Sequence, residues 1–237
     1  MIKTILFDLD GTLLPLDEDQ FIKRYFDLLG KKFYSLGYNP QTMLDAVWEG
    51  TKAMVNNSGF ISNEDCFWNA FEKKTGLLRQ AIEQELILFY ENDFDFVQKA
   101  SISNPNVKEI IASLIEKKVP LILATNPIFP QIATYKRIRW AGLDPKSFFW
   151  ITTYENSYFS KPNLKYYQWL LEKFNLLPSE CLMVGNDVEE DMIASQLGIK
   201  TFLVTDCLNN RLNKDINLFD HGNMASLKSF LLKQTYF

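Results

Sequence analysis

Short, mostly apolar, β-prone runs recur along this chain, and each stops abruptly on polar residues. Residues 2–7 end at the acidic, glycine-containing turn Asp8-Leu9-Asp10-Gly11-Thr12, and residues 119–124 end at Thr125. Similar runs occupy 149–152, 181–184 and 200–204. Runs of this length, bounded by turn residues, have the pattern of strands buried on both faces. Between them the apolar spacing predicts helices near 106–117, 128–140, 163–174 and 188–197. Strands alternating with helices specify α/β architecture, a Rossmann-like parallel sheet with helices on both faces. Ligands of such sheets bind outside the carboxyl ends of the strands, so the residues just after each run are the ones to inspect.

One stretch breaks the alternation. From about residue 16 to residue 100 only helical patterning is legible. Phe21, Tyr25, Leu28, Leu29, Phe33 and Leu36 fall at helical spacing, as do Met43, Leu44, Val47, Trp48, Met54 and Val55. Ser62 followed by Asp65 resembles a capping box, and a fourth helix is expected over 79–91. The Ser-Asn-Pro-Asn stretch at 103–106 marks the return to the alternating pattern. The organisation expected is therefore an α/β core of residues 1–15 and 102–237 with an all-helical unit of residues 16–101 inserted after the first strand. With 19 Phe, 10 Tyr and 5 Trp among 237 residues, there is apolar material for both.

Four polar elements follow strands of the one expected sheet. In an extended chain end, residues two apart point the same way, so the carboxylates of Asp8 and Asp10 can share a pocket. Held close, they need a cation or a proton between them. Thr125-Asn126 offers a hydroxyl and backbone amides for phosphoryl oxygens. Lys161-Pro162 offers a point charge. In Gly185-Asn186-Asp187-Val188-Glu189-Glu190-Asp191, Asp187 and Asp191 lie four apart, on one face of a helix's first turn, and hard carboxylate ligands suit magnesium. Each element alone has a plain structural explanation: capping residues in a turn, a helix N-cap before Pro127, a solvated lysine, acids complementing a helix start.

Together, and in this order, the four elements resemble the motifs of the haloacid dehalogenase superfamily. The helical insertion after the first motif is similar to the C1-type cap of its phosphatase branch, so the resemblance covers the whole chain. It implies a Mg2+-dependent phosphohydrolase acting on a small phosphorylated metabolite. In that scheme Asp8 attacks phosphorus and becomes an aspartyl-phosphate, and Asp10 serves as general acid and base. Thr125, Asn126 and Lys161 would bind the phosphoryl group. Mg2+ would be held by Asp8, Asp187 and the Asp10 backbone carbonyl, with Asp191 acting through water or orienting the others. Two features depart from the usual pattern: Asn186 stands where an Asp often follows the Gly, and Glu189 and Glu190 add further acids. The dehalogenase branch expels halide, which needs no proton, and typically lacks an Asp at the place of Asp10, so phosphoryl chemistry is favoured. A phosphomutase on the same residues and a non-catalytic phosphometabolite-binding module are the alternatives. Phosphonate cleavage would require a reactive cap lysine.

The remaining features narrow the setting. A net charge of −4 gives no electrostatic reason to expect nucleic acid. No apolar run reaches the length of a membrane span, and carboxylates arrive too early for a signal peptide. Cys66, Cys181 and Cys207 form no CxxC pair, as in a reduced cytoplasmic protein. The lone His221 is expected on the surface or in a loop. The cap aromatics, among them Trp48, Phe67 and Trp68, are expected mostly in the cap's own core, and Arg24, Lys31 and Lys52 are left as its candidate cleft-facing cations.

Overall fold

Alternate residues of the first strand face opposite ways, and both faces are buried: Ile5 and Phe7 join one apolar cluster, Leu6 the other. The computed structural model describes residues 1–233. Six strands, β1 (Thr4–Phe7), β2 (Leu121–Leu123), β3 (Trp150–Ile151), β4 (Cys181–Gly185), β5 (Lys200–Val204) and β6 (Asp220–Gly222), form one sheet in the order β3-β2-β1-β4-β5-β6. Every pairing is parallel. This is a Rossmann-like α/β fold.

Between β1 and β2 the chain is entirely helical. α1 (Glu18–Ser35), α2 (Pro40–Val55), α3 (Asn63–Thr75) and α4 (Glu83–Asn92) are followed by a 3-10 segment, Phe94–Ala100. Asp17, Asn39 and Ser62 cap the first three helices, each accepting from a backbone N–H three residues on. The fourth expected helix is interrupted: a 3-10 turn, Arg79–Ala81, precedes α4, and the break falls at Ile82, whose side chain is buried. The chain leaves and re-enters the core at one place. Asp17 N–H donates to the Ala100 carbonyl (3.1 Å), Ile102 N–H donates to the Pro15 carbonyl (2.8 Å), and Leu16 and Ser101 form an antiparallel bridge.

The sheet is covered by α5 (Pro105–Glu116), α6 (Gln131–Trp140), α7 (Leu164–Lys173) and α8 (Met224–Lys233). Leu227 of α8 and Ile110 of α5 lie in the cluster of Phe7, and Tyr166 and Leu170 of α7 lie in that of Leu6. The helix expected at 188–197 is instead one turn followed by the 3-10 segment Met192–Leu197, which ends at Gly198 in the left-handed region (φ 83°). β6 and α8 were not legible: β6 is short and largely exposed, and His221 sits on it, exposed, with Nδ1 2.9 Å from the Phe219 carbonyl. The last four residues of the expected core segment, 234–237, lie outside the described residues. Among the described residues no helix is long and apolar enough to cross a membrane.

A buried knot fastens the helical unit to the loops beyond β2 and β3. Asn63, fully buried at the start of α3, donates through Nδ2 to the Pro127 carbonyl (3.1 Å) and to Ser160 Oγ (3.0 Å), and its Oδ1 accepts from Asn57 Nδ2 (2.8 Å). Ser160 Oγ in turn donates to the Met54 carbonyl (3.1 Å). Each buried bond contributes about 1 kcal/mol net, and orphaned partners add to the loss. Asn63→Ala is therefore expected to lower the unfolding free energy by about 3 kcal/mol, read as a shift in the urea midpoint at unchanged m value. A change under about 0.5 kcal/mol would show that the knot contributes no stability.

Candidate active site

The strand order reverses direction between β1 and β4, and in sheets of this order ligands lie in the crevice at that point. The two strands run in register, Phe7 beside Val184, and Asp8 N–H donates to the Val184 carbonyl (2.9 Å). Asp8 and the Asn186-Asp187 pair therefore leave the sheet side by side. Gly11 turns the chain away at φ 79°, and a Cβ there would collide with the Asn186 amide, so no other residue fits both the angle and the space. The Thr12 hydroxyl faces Asp8 Oδ2 at 3.2 Å and Asn186 Oδ1 at 3.0 Å.

Beneath this floor lies a buried cation. Lys161 is 1% exposed, and its Nζ donates to Asp8 Oδ1 (2.9 Å) and Asp191 Oδ1 (2.6 Å). Burial alone would depress the ammonium, but the charges of Asp191 and Asp8 outweigh it and hold its pKa well above the usual lysine value. Burial pushes the Asp191 carboxyl upward, against the pull of Lys161. Both Asp191 oxygens are engaged: Oδ2 accepts from Asp187 N–H (3.0 Å). A Cβ on Gly185 would strike that same oxygen. Asp187 Oδ1 accepts from the N–H groups of Glu189 (2.8 Å) and Glu190 (2.7 Å). Asp187 thereby caps the single turn that opens here. Lys161, the cation expected to bind the phosphoryl group, is not among the residues that line the cavity, and its ammonium is engaged by the two carboxylates.

Asp10 has a partner that the sequence did not reveal. Arg137 of α6, 1% exposed, stacks 4.4 Å over the Phe129 ring and donates through Nη1 to Asp10 Oδ2. A buried arginine at helical spacing carries no signal distinguishing it from a solvated one. The Asp10 side chain keeps 32% of its surface, yet Oδ1 itself is buried and has no hydrogen-bond partner. Burial raises the Asp10 carboxyl to about 6, against the opposing charge of Arg137.

The far wall comes from the end of β2. Thr125 is buried; its carbonyl accepts from Thr152 Oγ1 (2.7 Å) and the Tyr166 hydroxyl (3.0 Å), which leaves its own hydroxyl without a partner among the described residues. Asn126 Nδ2 donates to Glu190 Oε2 (3.1 Å), and burial pushes the Glu190 carboxyl up to about 7. Asp8, Asp10, Thr125, Asn126, Asp187, Glu190 and Asp191 all line one cavity of about 1300 Å³ that runs up into the helical unit. Arg24, Lys31 and Lys52, the cations left open for the cleft, are absent from its lining, and Lys52 pairs with Glu49 (2.9 Å).

The donor set fits a divalent cation. Lys161 pairs with two carboxylates, Asp8 and Asp191, and a third, Asp187, lines the same cavity, so one ammonium stands against three acids. Burial also raises the Asp187 carboxyl, opposed by the Glu190 and Glu189 N–H groups. Among the described residues no group of three or more His, Cys, Asp or Glu forms a ready-made cage. Mg2+ needs none, since it keeps several waters and takes one or two carboxylates plus substrate phosphate. Asp8, Asp187 and the Asp10 carbonyl are the hard oxygens available; Asp191, with both oxygens engaged, is placed to orient them.

The family description "haloacid dehalogenase-like hydrolase" matches residues 2–206. The chain is similar to a phosphoglycolate phosphatase of Aliivibrio fischeri, 27% identical over 208 residues, covering 86% of this chain and 84% of that protein. A phosphatase structure from Thermococcus onnurineus aligns with TM-score 0.59 at 19% identity, over 97% of this chain and 98% of that one. A 2-haloacid dehalogenase from Pseudomonas syringae aligns with TM-score 0.61 at 17% identity, over 98% and 99%. A phosphatase and a dehalogenase align comparably, so these structures speak to the fold alone.

Removing Arg137 would leave Asp10 facing a partly buried site unpaired. Arg137→Met is expected to cost about 2 kcal/mol, less than for a fully buried pair because Asp10 is partly exposed. In an Asp10→Asn background the same change should cost under about 1 kcal/mol. Equal costs in the two backgrounds, measured by urea unfolding, would show that the pair is not coupled.

Proposed function

This chain belongs to the haloacid dehalogenase-like hydrolase family, and on that premise we propose that it is a Mg2+-dependent phosphatase that hydrolyses a small phosphomonoester through Asp8. The observation that carries this reading is the pairing of Asp8, held by Lys161 and Thr12, with a second carboxylate, Asp10, whose Oδ1 is buried and unpartnered beside it. Halide departure needs no proton; an alkoxide does, and Asp10 is positioned to supply one.

In this reading an Asp8 carboxylate oxygen bonds to phosphorus while the ester P–O bond breaks, and its electron pair leaves with the alkoxide. Asp10 gives that oxygen a proton. A water then attacks the aspartyl-phosphate, Asp10 takes the water's proton, and the bond from Asp8 to phosphorus breaks, releasing phosphate and restoring both carboxyl groups. Arg137 holds Asp10 Oδ2 and leaves Oδ1 for the transfer. The Thr125 hydroxyl, together with backbone N–H groups at the strand ends, binds phosphoryl oxygens. Lys161 holds Asp8 in place. Bound Mg2+, on Asp8, Asp187 and the Asp10 carbonyl, supplies neutralisation of the phosphoryl charge that an anionic nucleophile must approach. Residues 16–101 form the cap, which excludes water during the reaction. Three unpaired cysteines support a reducing, cytoplasmic setting.

The test is phosphate release from an aryl phosphate, with Mg2+ and with EDTA, beside two variants. Asp8→Asn should abolish turnover, and EDTA should do so reversibly. Asp10→Asn should lower turnover of alkyl phosphates by about 10²- to 10⁴-fold. Normal turnover by Asp10→Asn would remove its assigned role, and turnover that appears only with a bisphosphate present would assign the mutase alternative.

A further inference from the structure

The upper part of the cavity is where the two ends of a phosphomonoester can be told apart, and its chemistry is one-sided. Its walls are aromatic and aliphatic side chains of α1–α4, among them Phe26, Trp48, Phe67, Leu86 and Tyr90. Phe26 and Trp48 lie face to face, with ring centroids 4.9 Å apart and planes 9° from parallel. Among the described residues the lining holds one cation, Arg211; it belongs to the loop beyond β5, its side chain is 62% exposed, and it is paired with Glu18 at 3.2 Å.

A carboxylate or a second phosphate on the leaving group needs a cation or a cluster of free N–H groups to replace its water. Helix starts are the usual source of such N–H groups. Here every helix start that reaches the cavity is met by an acid: Glu18 and Asp19 on α1, Glu64 on α3 and Glu83 on α4 carry their own, and at α6 the Gln131 N–H is taken by Glu155 (2.7 Å). Glu64 and Glu83 are both tied to Arg79 (2.5 Å each), so these acids are engaged and do not form an open cation site either. The N–H groups of Asn63 and Glu64 are spent on the Ser157 and Tyr154 carbonyls (2.8 and 2.9 Å). An anionic leaving group would meet apolar walls and like charge; an uncharged apolar one would lose only water.

We propose that the leaving group accepted by this cavity is uncharged and predominantly aromatic or apolar, and that esters carrying a carboxylate or a second phosphate are rejected. This rests on the phosphatase reading for the reaction, but not for the selectivity of the cavity. Trp48 is the specificity-determining residue most open to test, because it lines the cavity while 44% exposed, so its replacement leaves the packed core intact.

The experiment compares benzyl phosphate, 2-phosphoglycolate and glucose 1,6-bisphosphate, all of which can lose an alkoxide, so that intrinsic leaving-group reactivity differs little beside the charge. With the full chain and Mg2+, kcat/KM for benzyl phosphate should exceed that for either anionic ester by about 100-fold. In parallel, equilibrium binding of the same three esters to Asp8→Asn, followed by tryptophan fluorescence, should show benzyl phosphate bound at least about 10-fold more tightly. Trp48→Arg should narrow both ratios by about 10-fold, by adding a cation to the wall. Turnover failing while the binding preference holds would overturn the phosphatase reading and leave the cavity inference standing. Equal or tighter binding of phosphoglycolate or the bisphosphate, or no binding of benzyl phosphate, would overturn the cavity inference whatever the turnover.

Discussion

The site depends on one buried ammonium. Taking a charge out of water costs several kcal/mol, and Lys161 is nearly inaccessible, so it can remain charged only because Asp8 and Asp191 both touch it. At about 3 Å and an effective dielectric of about 20, each pair attracts by about 5 kcal/mol, enough to offset the burial of the three groups. The rest of the floor follows from that contact. Asp191, fixed by Lys161, fixes the Asp187 backbone through its second oxygen, and Asp187 is thereby held beside Asp8. Gly185 is required beneath it, since any side chain there would displace the Asp191 carboxylate. The ion-pair cluster is what sets two carboxylates at one crevice with charge left over for a cation.

A second cation, Arg137, links this floor to the helical unit. It grips Asp10 from α6, and α6 is itself fastened to the segment after α4. Lys136 donates to the Glu91 carbonyl (2.7 Å) and Asp95 (2.5 Å), Trp140 Nε1 donates to Asp95 Oδ1 (3.2 Å), and the Trp140 ring stacks on Phe94. The residue that orients the candidate proton donor is thus packed on the same helix that anchors the inserted unit. A shift of that unit against α6 would be felt at Asp10 before it was felt at Asp8, whose support comes from β4 and Lys161.

How much of this was legible in the chain follows from what kind of signal each residue leaves. Strand ends are marked by an abrupt change from apolar to polar, so the parallel sheet and the gathering of Asp8, Asp10, Thr125 and Asp187 at its carboxyl edge could be read directly. The helical insert could be read too, because buried residues on its first two helices recur at helical spacing. Three kinds of feature left no such trace. Arg137 and Asn63 are polar residues whose importance lies in burial, which composition does not display. The segment after Asp187 has helical spacing but is one turn followed by the 3-10 stretch Met192–Leu197, a tightening that spacing does not display. The cations of the insert, Arg24, Lys31 and Lys52, could not be sorted by sequence into cleft-facing and solvated, and the cavity includes none of them.

In the proposed reaction the two parts of the molecule recognise by different physics. The sheet edge concentrates charge: its carboxylates and the Thr125 hydroxyl would address the phosphoryl group that every phosphomonoester carries, with Lys161 holding Asp8 in place. Such contacts bind all candidates alike and do not discriminate among them. Discrimination falls to the helical walls, where the available term is apolar burial. Covering about 120 Å² of aromatic ring at about 25 cal/mol/Å² contributes about 3 kcal/mol, of the order of a hundredfold in affinity. An anion placed against the same walls gains none of this and keeps its desolvation cost, since Arg211 is solvated and already paired. In the proposed reaction, aromatic walls over a charged floor thus separate the two tasks of the cavity, fixing the phosphate end by electrostatics and choosing the other end by shape and the absence of charge.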